Sequence, residues 1–180
     1  MIITPLALPG VFIIRPQLIR DTRGYFYEGF HRAHMEKVLK KTIDFVQENT
    51  SYSIQNVIRG LHYQYQTPQA KLIRVISGVI WDVVVDVRPS SPTFGKHIHY
   101  TLSQNNRHQI WIPEGCAHGF AVLSPFAEIT YKVTTYWNPE AEQCIRWDDK
   151  TLAIPWPIHH PPYVSEKDAQ GISFENARYH

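Results

Sequence analysis

Apolar and polar residues alternate in short runs along most of this chain, and glycine, proline, asparagine or serine interrupts each run before it grows long. Period-two alternation marks half-buried β-strands, because successive side chains on a strand point to opposite faces. The pattern predicts strands at residues 11–19, 24–30, 43–52, 57–64, 71–76, 79–87, 96–102, 108–112, 119–123 and 128–136. Residues 31–41 break the alternation: Met35, Val38 and Leu39 fall at helical spacing, and Arg32, Lys37 and Lys40 are left to solvent. After Tyr136, prolines at 139, 155, 157, 161 and 162 preclude a long regular element, so the tail is expected to wrap over the body and carry a residue back to it. Many short strands at this spacing make an all-β fold, a sandwich or barrel with alternate residues lining the interior.

The same alternation sorts side chains by face. Within 79–87, Asp82, Val84 and Asp86 point one way and Trp81, Val83, Val85 and Val87 the other. Lys71 falls with Ile73 and Val75, Tyr131 with Ile129 and Val133, and Phe45 with Gln47 and Asn49. A lysine on an apolar face is costly to bury and therefore a candidate for function. Arg59 and His62 have opposite parity, so they converge only if Gly60 marks a bulge or close bend.

Composition narrows the class. A chain of 180 residues with 43% hydrophobic content is expected to form a single domain, residues 1–180, around one core. Its net charge of +2 comes from interspersed residues without a basic run, which argues against a nucleic-acid or membrane partner and leaves a small anionic ligand open. Cys116 and Cys144 make neither a CxxC pair nor a disulfide framework, so free thiols in a reducing compartment are expected. No stretch approaches the roughly 20 apolar residues that span a bilayer, and the cytoplasm is the expected location.

The chemistry gathers in a few places. Pro113-Glu-Gly-Cys-Ala-His118-Gly-Phe120 sets a histidine at a strand start after a tight turn, while Arg59-Gly-Leu-His62-Tyr-Gln64 and Lys71 supply a second imidazole and an ammonium. Two imidazoles and a cation point to proton chemistry beside a developing negative charge. His97, His99 and His108 read as ordinary surface or satisfied core residues. Tyr131-Lys132 reads equally well as a buried ring beside an exposed charge or as a catalytic phenol. Ser165-Glu-Lys-Asp168 has the form of a helix N-cap, and Asp21-Thr-Arg23-Gly24 that of a hairpin turn.

Taken in order, the segments Asp21-Thr-Arg23-Gly-Tyr-Phe26-Tyr-Glu28, Phe45-Val-Gln47-Glu-Asn49, Val57-Ile-Arg59-Gly-Leu-His62-Tyr-Gln64, Ser91-Pro-Thr-Phe-Gly95, Trp111-Ile-Pro-Glu-Gly-Cys-Ala-His118-Gly-Phe120, Tyr131-Lys132, Asn138-Pro-Glu-Ala-Glu142, Ile145-Arg-Trp-Asp-Asp149 and Ser165-Glu-Lys-Asp168 resemble the dTDP-4-dehydrorhamnose 3,5-epimerase family over nearly the whole chain. The resemblance implies a cupin-like jelly roll and cofactor-independent epimerisation of dTDP-4-keto-6-deoxyglucose at C3 and C5 through enolates. It implies His62 as the base, Asp168 as the carboxylate that orients it, Tyr131 as the acid on the opposite face and Lys71 at the C4 oxygen. His118 is a nearby polar contact, paired with Asp82. For the nucleotide, the resemblance implies Arg23 and Arg59 on the diphosphate, Gln47 and Asn49 as neutral partners, and Phe26 and Glu28 at the base. The resemblance also implies that the N-terminal segment bearing Arg23, Phe26 and Glu28 acts across a homodimer.

Two departures stand out: Thr50 where the family often carries histidine, expected to alter packing beside the site, and Trp137 in a stretch that is commonly Tyr-Tyr. Two rival readings are a C3-only epimerase and a metal-binding cupin. Pro113-x-Gly115-x-x-His118 resembles one metal-cupin motif, and His62-x-Gln64 with Lys71 the other. An amide and a cation stand where a histidine and a carboxylate would ligate, so no metal is expected.

Overall fold

The structure, a computed structural model, describes residues 1–179. Two antiparallel sheets face each other, as the alternation requires. The six-stranded sheet contains β1 (Ile2–Pro5), β2 (Phe12–Arg15), β5 (Gln47–Ile54), β7 (Lys71–Ser77), β10 (Gln109–Ile112) and β12 (Phe126–Val133), in the order β1-β2-β10-β7-β12-β5. The five-stranded sheet contains β6 (Ile58–Gln64), β8 (Val79–Asp86), β9 (His97–Ser103), β11 (Cys116–Val122) and β13 (Glu142–Cys144), in the order β13-β6-β11-β8-β9. A separate hairpin, β3 (Ile19–Asp21) with β4 (Gly24–Phe26), stands apart from both. The all-β sandwich expectation is met.

Three apolar clusters hold the layers. Between the sheets lie Val11, Ile13, Ile73, Val75, Val84, Ile110, Phe120 and Ile129, with Tyr131 packed against them. Behind the five-stranded sheet, Trp81, Val83, Val85 and Val87 meet Leu152 and Phe174 of the tail. Behind the six-stranded sheet, Ile14, Leu72 and Trp111 meet Met35 of α1 (Arg32–Leu39) and Ile43. Each fully buried aliphatic or aromatic side chain contributes about 1.5–3 kcal/mol, so the helix is held by packing, and the wrapped tail by packing together with bridges from Tyr163 to Val57 and from Ile172 to Ile145.

Several elements differ from the sequence expectation for identifiable reasons. Pro16 lacks an N–H and splits the expected strand 11–19 into β2 and β3. The expected strand 24–30 ends at Phe26, and the expected strand 43–52 begins only at Gln47. Phe45 therefore lies outside the alternation and packs against Phe30 and Trp111 behind the sheet, rather than sharing a face with Gln47 and Asn49. In α1, His31 caps the first turn through Nδ1, which accepts from the His34 N–H at 3.2 Å. Met35 is buried as expected, whereas Val38 is exposed. The short edge strands β1 and β13 and the four-residue helix α2 (Glu166–Ala169) carry too few residues for periodicity to reveal.

Two motifs have structural explanations. Asp86, fully buried on the face shared with Asp82, accepts from Arg88, Ser91 Oγ and Thr93 Oγ1 and so pins the turn containing Ser91-Pro-Thr-Phe-Gly95. Despite burial, these donors hold its carboxyl down to about 2. His99 stacks on Trp81 and His108 Nδ1 meets the Tyr100 hydroxyl at 2.9 Å, so both have structural partners.

The bend at Gly60 is present. His118 opposes His62 and Phe120 opposes Arg59, so Gly60 and Leu61 together face Gly119 across the ladder. Because His118 and Phe120 share a face, the extra residue brings Arg59 and His62 onto one face too. Gly60 has φ +104°, and a Cβ there would lie 2.5 Å from the His118 carbonyl oxygen and 2.7 Å from Gly119 Cα. Gly60→Ala is expected to destabilise the fold by about 3 kcal/mol. Urea denaturation would show this as a lowered midpoint with an unchanged slope; an unchanged midpoint would contradict it.

Candidate active site

Both sheets contribute to a cavity of about 230 Å³ lined by Arg59, His62, Lys71, His118, Phe120 and Tyr131, with Ser51, Gly60, Gly119 and Ile129 completing the wall. His62 and His118 come from neighbouring strands of the five-stranded sheet, Lys71 and Tyr131 from neighbouring strands of the six-stranded sheet. A planar group between the sheets would thus meet imidazoles on one side and a phenol on the other. The volume lies below the 300–1,000 Å³ usual for ligand pockets, so it suits a single ring and not a whole nucleotide.

His62 Nε2 lies 2.6 Å from Asp168 Oδ1. Asp168 sits in α2, where Ser165 Oγ accepts its backbone N–H as the N-cap; the tail thus returns a residue to the body as expected. It is 3% exposed, and its Oδ2 accepts from the Gly60 N–H at 3.4 Å. Burial opposes its charge, yet the His62 hydrogen bond and charge hold Asp168 below the usual carboxylate range. The carboxylate therefore fixes the Nε2–H tautomer and leaves Nδ1 free to accept a proton.

Glu142 is the residue that sequence reasoning missed. Its Oε1 lies 3.7 Å from His62 Nδ1, while Oε2 accepts from Lys167 Nζ at 2.5 Å and Trp137 Nε1 at 2.9 Å. Against its burial, those donors keep it below the ordinary glutamate range. The only signal for it was its place in Asn138-Pro-Glu-Ala-Glu142. Trp137 thus sits at the rim, where its backbone N–H donates to Gln47 Oε1.

Lys71 lies with Ile73 and Val75 toward the interior and is 8% exposed; its Nζ donates to the His62 carbonyl at 3.3 Å. Burial brings its pKa down to about 8, although the charges of Glu142 and Asp82 act the other way. His118 Nε2 meets Asp82 Oδ2 at 2.7 Å, the pairing that was expected, while Asp82 Oδ1 is buried without a partner. Burial raises Asp82 against the lowering effect of His118. Tyr131 opposes Asn49 across β12 and β5, and burial raises its phenol.

The remaining predicted residues divide between rim and periphery. Arg59 Nε donates to Ser53 Oγ at 2.9 Å, and Gln47 Nε2 to Asn49 Oδ1 at 2.8 Å, along β5 at the mouth. Arg23, Phe26 and Glu28 do not join the cavity within this chain. Arg23 pairs with Asp21 in the exposed hairpin, and Phe26 is 68% exposed. Thr50 faces outward opposite Thr130, so its departure from the family pattern does not alter packing in the cavity. The metal-cupin positions are not equivalent either. Gln64 Nε2 turns to the Thr67 and Tyr136 carbonyls, and a lysine occupies the carboxylate's place.

A sequence profile described as dTDP-4-dehydrorhamnose 3,5-epimerase matches residues 5–176. The chain belongs to the dTDP-4-dehydrorhamnose 3,5-epimerase family. The family is one of isomerases, and its relatives share the cupin-like sandwich seen here. The dTDP-4-dehydrorhamnose 3,5-epimerase of Pseudomonas aeruginosa is 47% identical over 174 residues, 97% of this chain and 96% of that protein. The crystal structure of dTDP-6-deoxy-D-glucose-3,5-epimerase from Legionella pneumophila in complex with dTDP-4-keto-L-rhamnose is 44% identical, with a TM-score of 0.94 over 98% of this chain and 94% of that one. A 3'-monoepimerase from Streptomyces bikiniensis in complex with dTDP-quinovose is also similar, at 27% identity and a TM-score of 0.90 over 96% of this chain and 87% of that one.

Keeping Lys71 charged in the interior is expensive. The distance from 10.5 to about 8 corresponds to roughly 3 kcal/mol. Lys71→Met is expected to raise the melting temperature near neutral pH. The folded chain binds fewer protons than the unfolded one between about pH 8 and 10.5, so wild-type stability rises over that window and the variant's advantage shrinks. Thermal unfolding of both chains across that range checks the sign; a variant less stable than wild type at pH 7 would contradict the account.

Proposed function

We propose that this chain epimerises dTDP-4-keto-6-deoxyglucose at C3 and C5, giving dTDP-4-keto-L-rhamnose for rhamnose biosynthesis. The observation that carries this reading is the placement of His62, held by Asp168, and Tyr131 on opposite walls of one cavity, with the Lys71 ammonium between the sheets. The identities of the relatives point to the same substrate.

A hydrogen beside a ketone is weakly acidic, so the enzyme must supply a base at carbon and charge stabilisation at oxygen. His62 Nδ1 accepts the proton, and Asp168 stabilises the resulting imidazolium through Nε2–H. The negative charge moves to the C4 oxygen, where Lys71 donates to it with His118 nearby. Tyr131 then gives its proton to the opposite face of the same carbon, which inverts it. His62 then gives its proton to solvent and the Tyr131 phenolate takes one back, and a second round at the other α-carbon completes the reaction. These steps need no cofactor, and no metal has a part in them.

Arg59, Gln47 and Asn49 at the mouth supply cationic and neutral hydrogen-bonding groups for the nucleotide diphosphate. We assign Arg23, Phe26 and Glu28 to the base and diphosphate of a neighbouring subunit's substrate in a homodimer. The exposed hairpin that bears Arg23 and Phe26 supports this assignment, since neither residue lines the cavity of His62. Among the described residues, no helix is long and apolar enough to cross a membrane. Cys116 and Cys144 are both free thiols, in keeping with a reducing, cytoplasmic setting and with one domain over the whole chain.

Proton NMR of dTDP-4-keto-6-deoxyglucose incubated with the chelator-treated protein in D₂O tests the reading. Deuterium is expected at both C3 and C5, and His62→Ala should reduce incorporation at both by about 10²- to 10⁴-fold. Exchange confined to C3 would assign the chain to the monoepimerases, and no exchange would overturn the enolate mechanism for this substrate. The wild-type rate is also expected to fall as pH rises through about 8, where Lys71 loses its proton. A flat rate from pH 7 to 9.5 would remove the ammonium from the mechanism.

A further inference from the structure

Beside the base and its carboxylate lies a thiol that the reaction does not explain. Among the described residues, His62, Cys144 and Asp168 each present one ligating atom, and these atoms lie within 4.8 Å of one another. Cys144 stands directly opposite His62 in the pairing of β13 with β6, so the two side chains share a face. Its Sγ is 3.6 Å from Asp168 Oδ1. The sequence offered no reason to look at it, because Cys144 belongs to no recognisable metal motif.

We propose that His62, Cys144 and Asp168 form an inhibitory site for a thiophilic divalent cation of the Zn²⁺ or Cd²⁺ type. Imidazole, thiolate and carboxylate together make a three-ligand set that such ions accept, with a fourth position left for water. Bonds of about 2.0–2.3 Å hold ligand atoms roughly 3.3–3.8 Å apart around a tetrahedral ion. The Cys144–Asp168 separation already fits; the 2.6 Å His62–Asp168 contact must open by somewhat less than about 1 Å, and the imidazole and sulfur, which lie within 4.8 Å, must settle at the same spacing. A groove lined by Glu142, Cys144, Glu166, Lys167 and Gln170 approaches the trio from outside the cavity. Its two carboxylates outweigh one ammonium, which favours entry of a cation.

The protons can be followed. The ion draws off the Cys144 thiol proton, which passes to solvent, and binds the sulfur lone pair. The proton on His62 Nε2 is replaced there by the ion, and Nδ1 becomes the protonated nitrogen, facing Glu142 Oε1. With one ring nitrogen metallated and the other protonated, His62 cannot accept a substrate proton. The site is therefore distinct from the metal-cupin arrangement, which would use His62 with residues at 64, 71 and 118.

Inhibition rests on the proposed role of His62, but binding does not, so the two are measured separately. Cd²⁺ titrated into the substrate-free protein is expected to give one equivalent of thiolate-to-cadmium charge-transfer absorption. Cys144→Ser should abolish that band and weaken Cd²⁺ binding in calorimetry by at least about tenfold; Cys116→Ser should retain both. Asp168→Asn provides a second, independent loss of affinity should the cysteine variant fold poorly by circular dichroism. Zn²⁺ should inhibit wild-type turnover reversibly by chelator, and the inhibitory concentration should rise by at least about tenfold in Cys144→Ser, each protein being compared with its own uninhibited rate. Absence of the band in wild type, its survival in Cys144→Ser, or its loss in Cys116→Ser would overturn the proposal. A protein that binds Cd²⁺ as described but leaves the nucleotide sugar untouched would contradict the enzymatic reading alone.

Discussion

One buried carboxylate ties the working parts of this protein together. Asp168 accepts from the His62 ring, from the Gly60 N–H at the bulge, and from the Cys144 thiol on the edge strand. Three segments far apart in sequence therefore meet at a single side chain. Burying a carboxylate is costly unless its oxygens are satisfied, and here each is. The wrapped tail positions α2, α2 positions Asp168, and Asp168 positions the imidazole.

The two-sheet architecture then divides the labour. In the proposed reaction a proton is removed from one face and returned to the other, which requires two groups that cannot belong to one continuous surface. Opposed sheets provide them: His62 projects from the five-stranded sheet and Tyr131 from the six-stranded one. Lys71 joins them at a cost of roughly 3 kcal/mol in folding stability, a sacrifice that makes sense only where charge must be stabilised away from water. Natural proteins are expected to yield stability at such positions. The Gly60 bulge completes the arrangement by bringing Arg59, at the mouth, onto the same face as His62.

Much of this was legible in the sequence, and the reasons are physical. Period-two alternation located the central strands and set Lys71 and Tyr131 toward the interior, because successive side chains on a strand point to opposite faces. The opposite parity of Arg59 and His62 foretold the bulge. What parity could not reach were positions outside regular strands. Phe45 precedes β5 and packs on the other face. Thr50, inside β5, was judged from its neighbourhood, although parity opposite to Gln47 and Asn49 already places it outward. Asp168 was visible only through resemblance, because the irregular tail that carries it has no period to read, and Glu142 and Cys144 lie on a three-residue edge strand. The hairpin with Arg23 and Phe26 was located as a turn, and within this chain it stands apart from the cavity.

The most direct test of the two-faced site separates proton removal from inversion. Tyr131→Phe, given dTDP-4-keto-6-deoxyglucose in D₂O, should still exchange the α-hydrogens through His62 while forming little inverted product. Proton NMR would then show deuterium with the original configuration retained. Inversion at the wild-type rate in this variant would contradict the account, because the proton would then reach the opposite face from some group other than Tyr131.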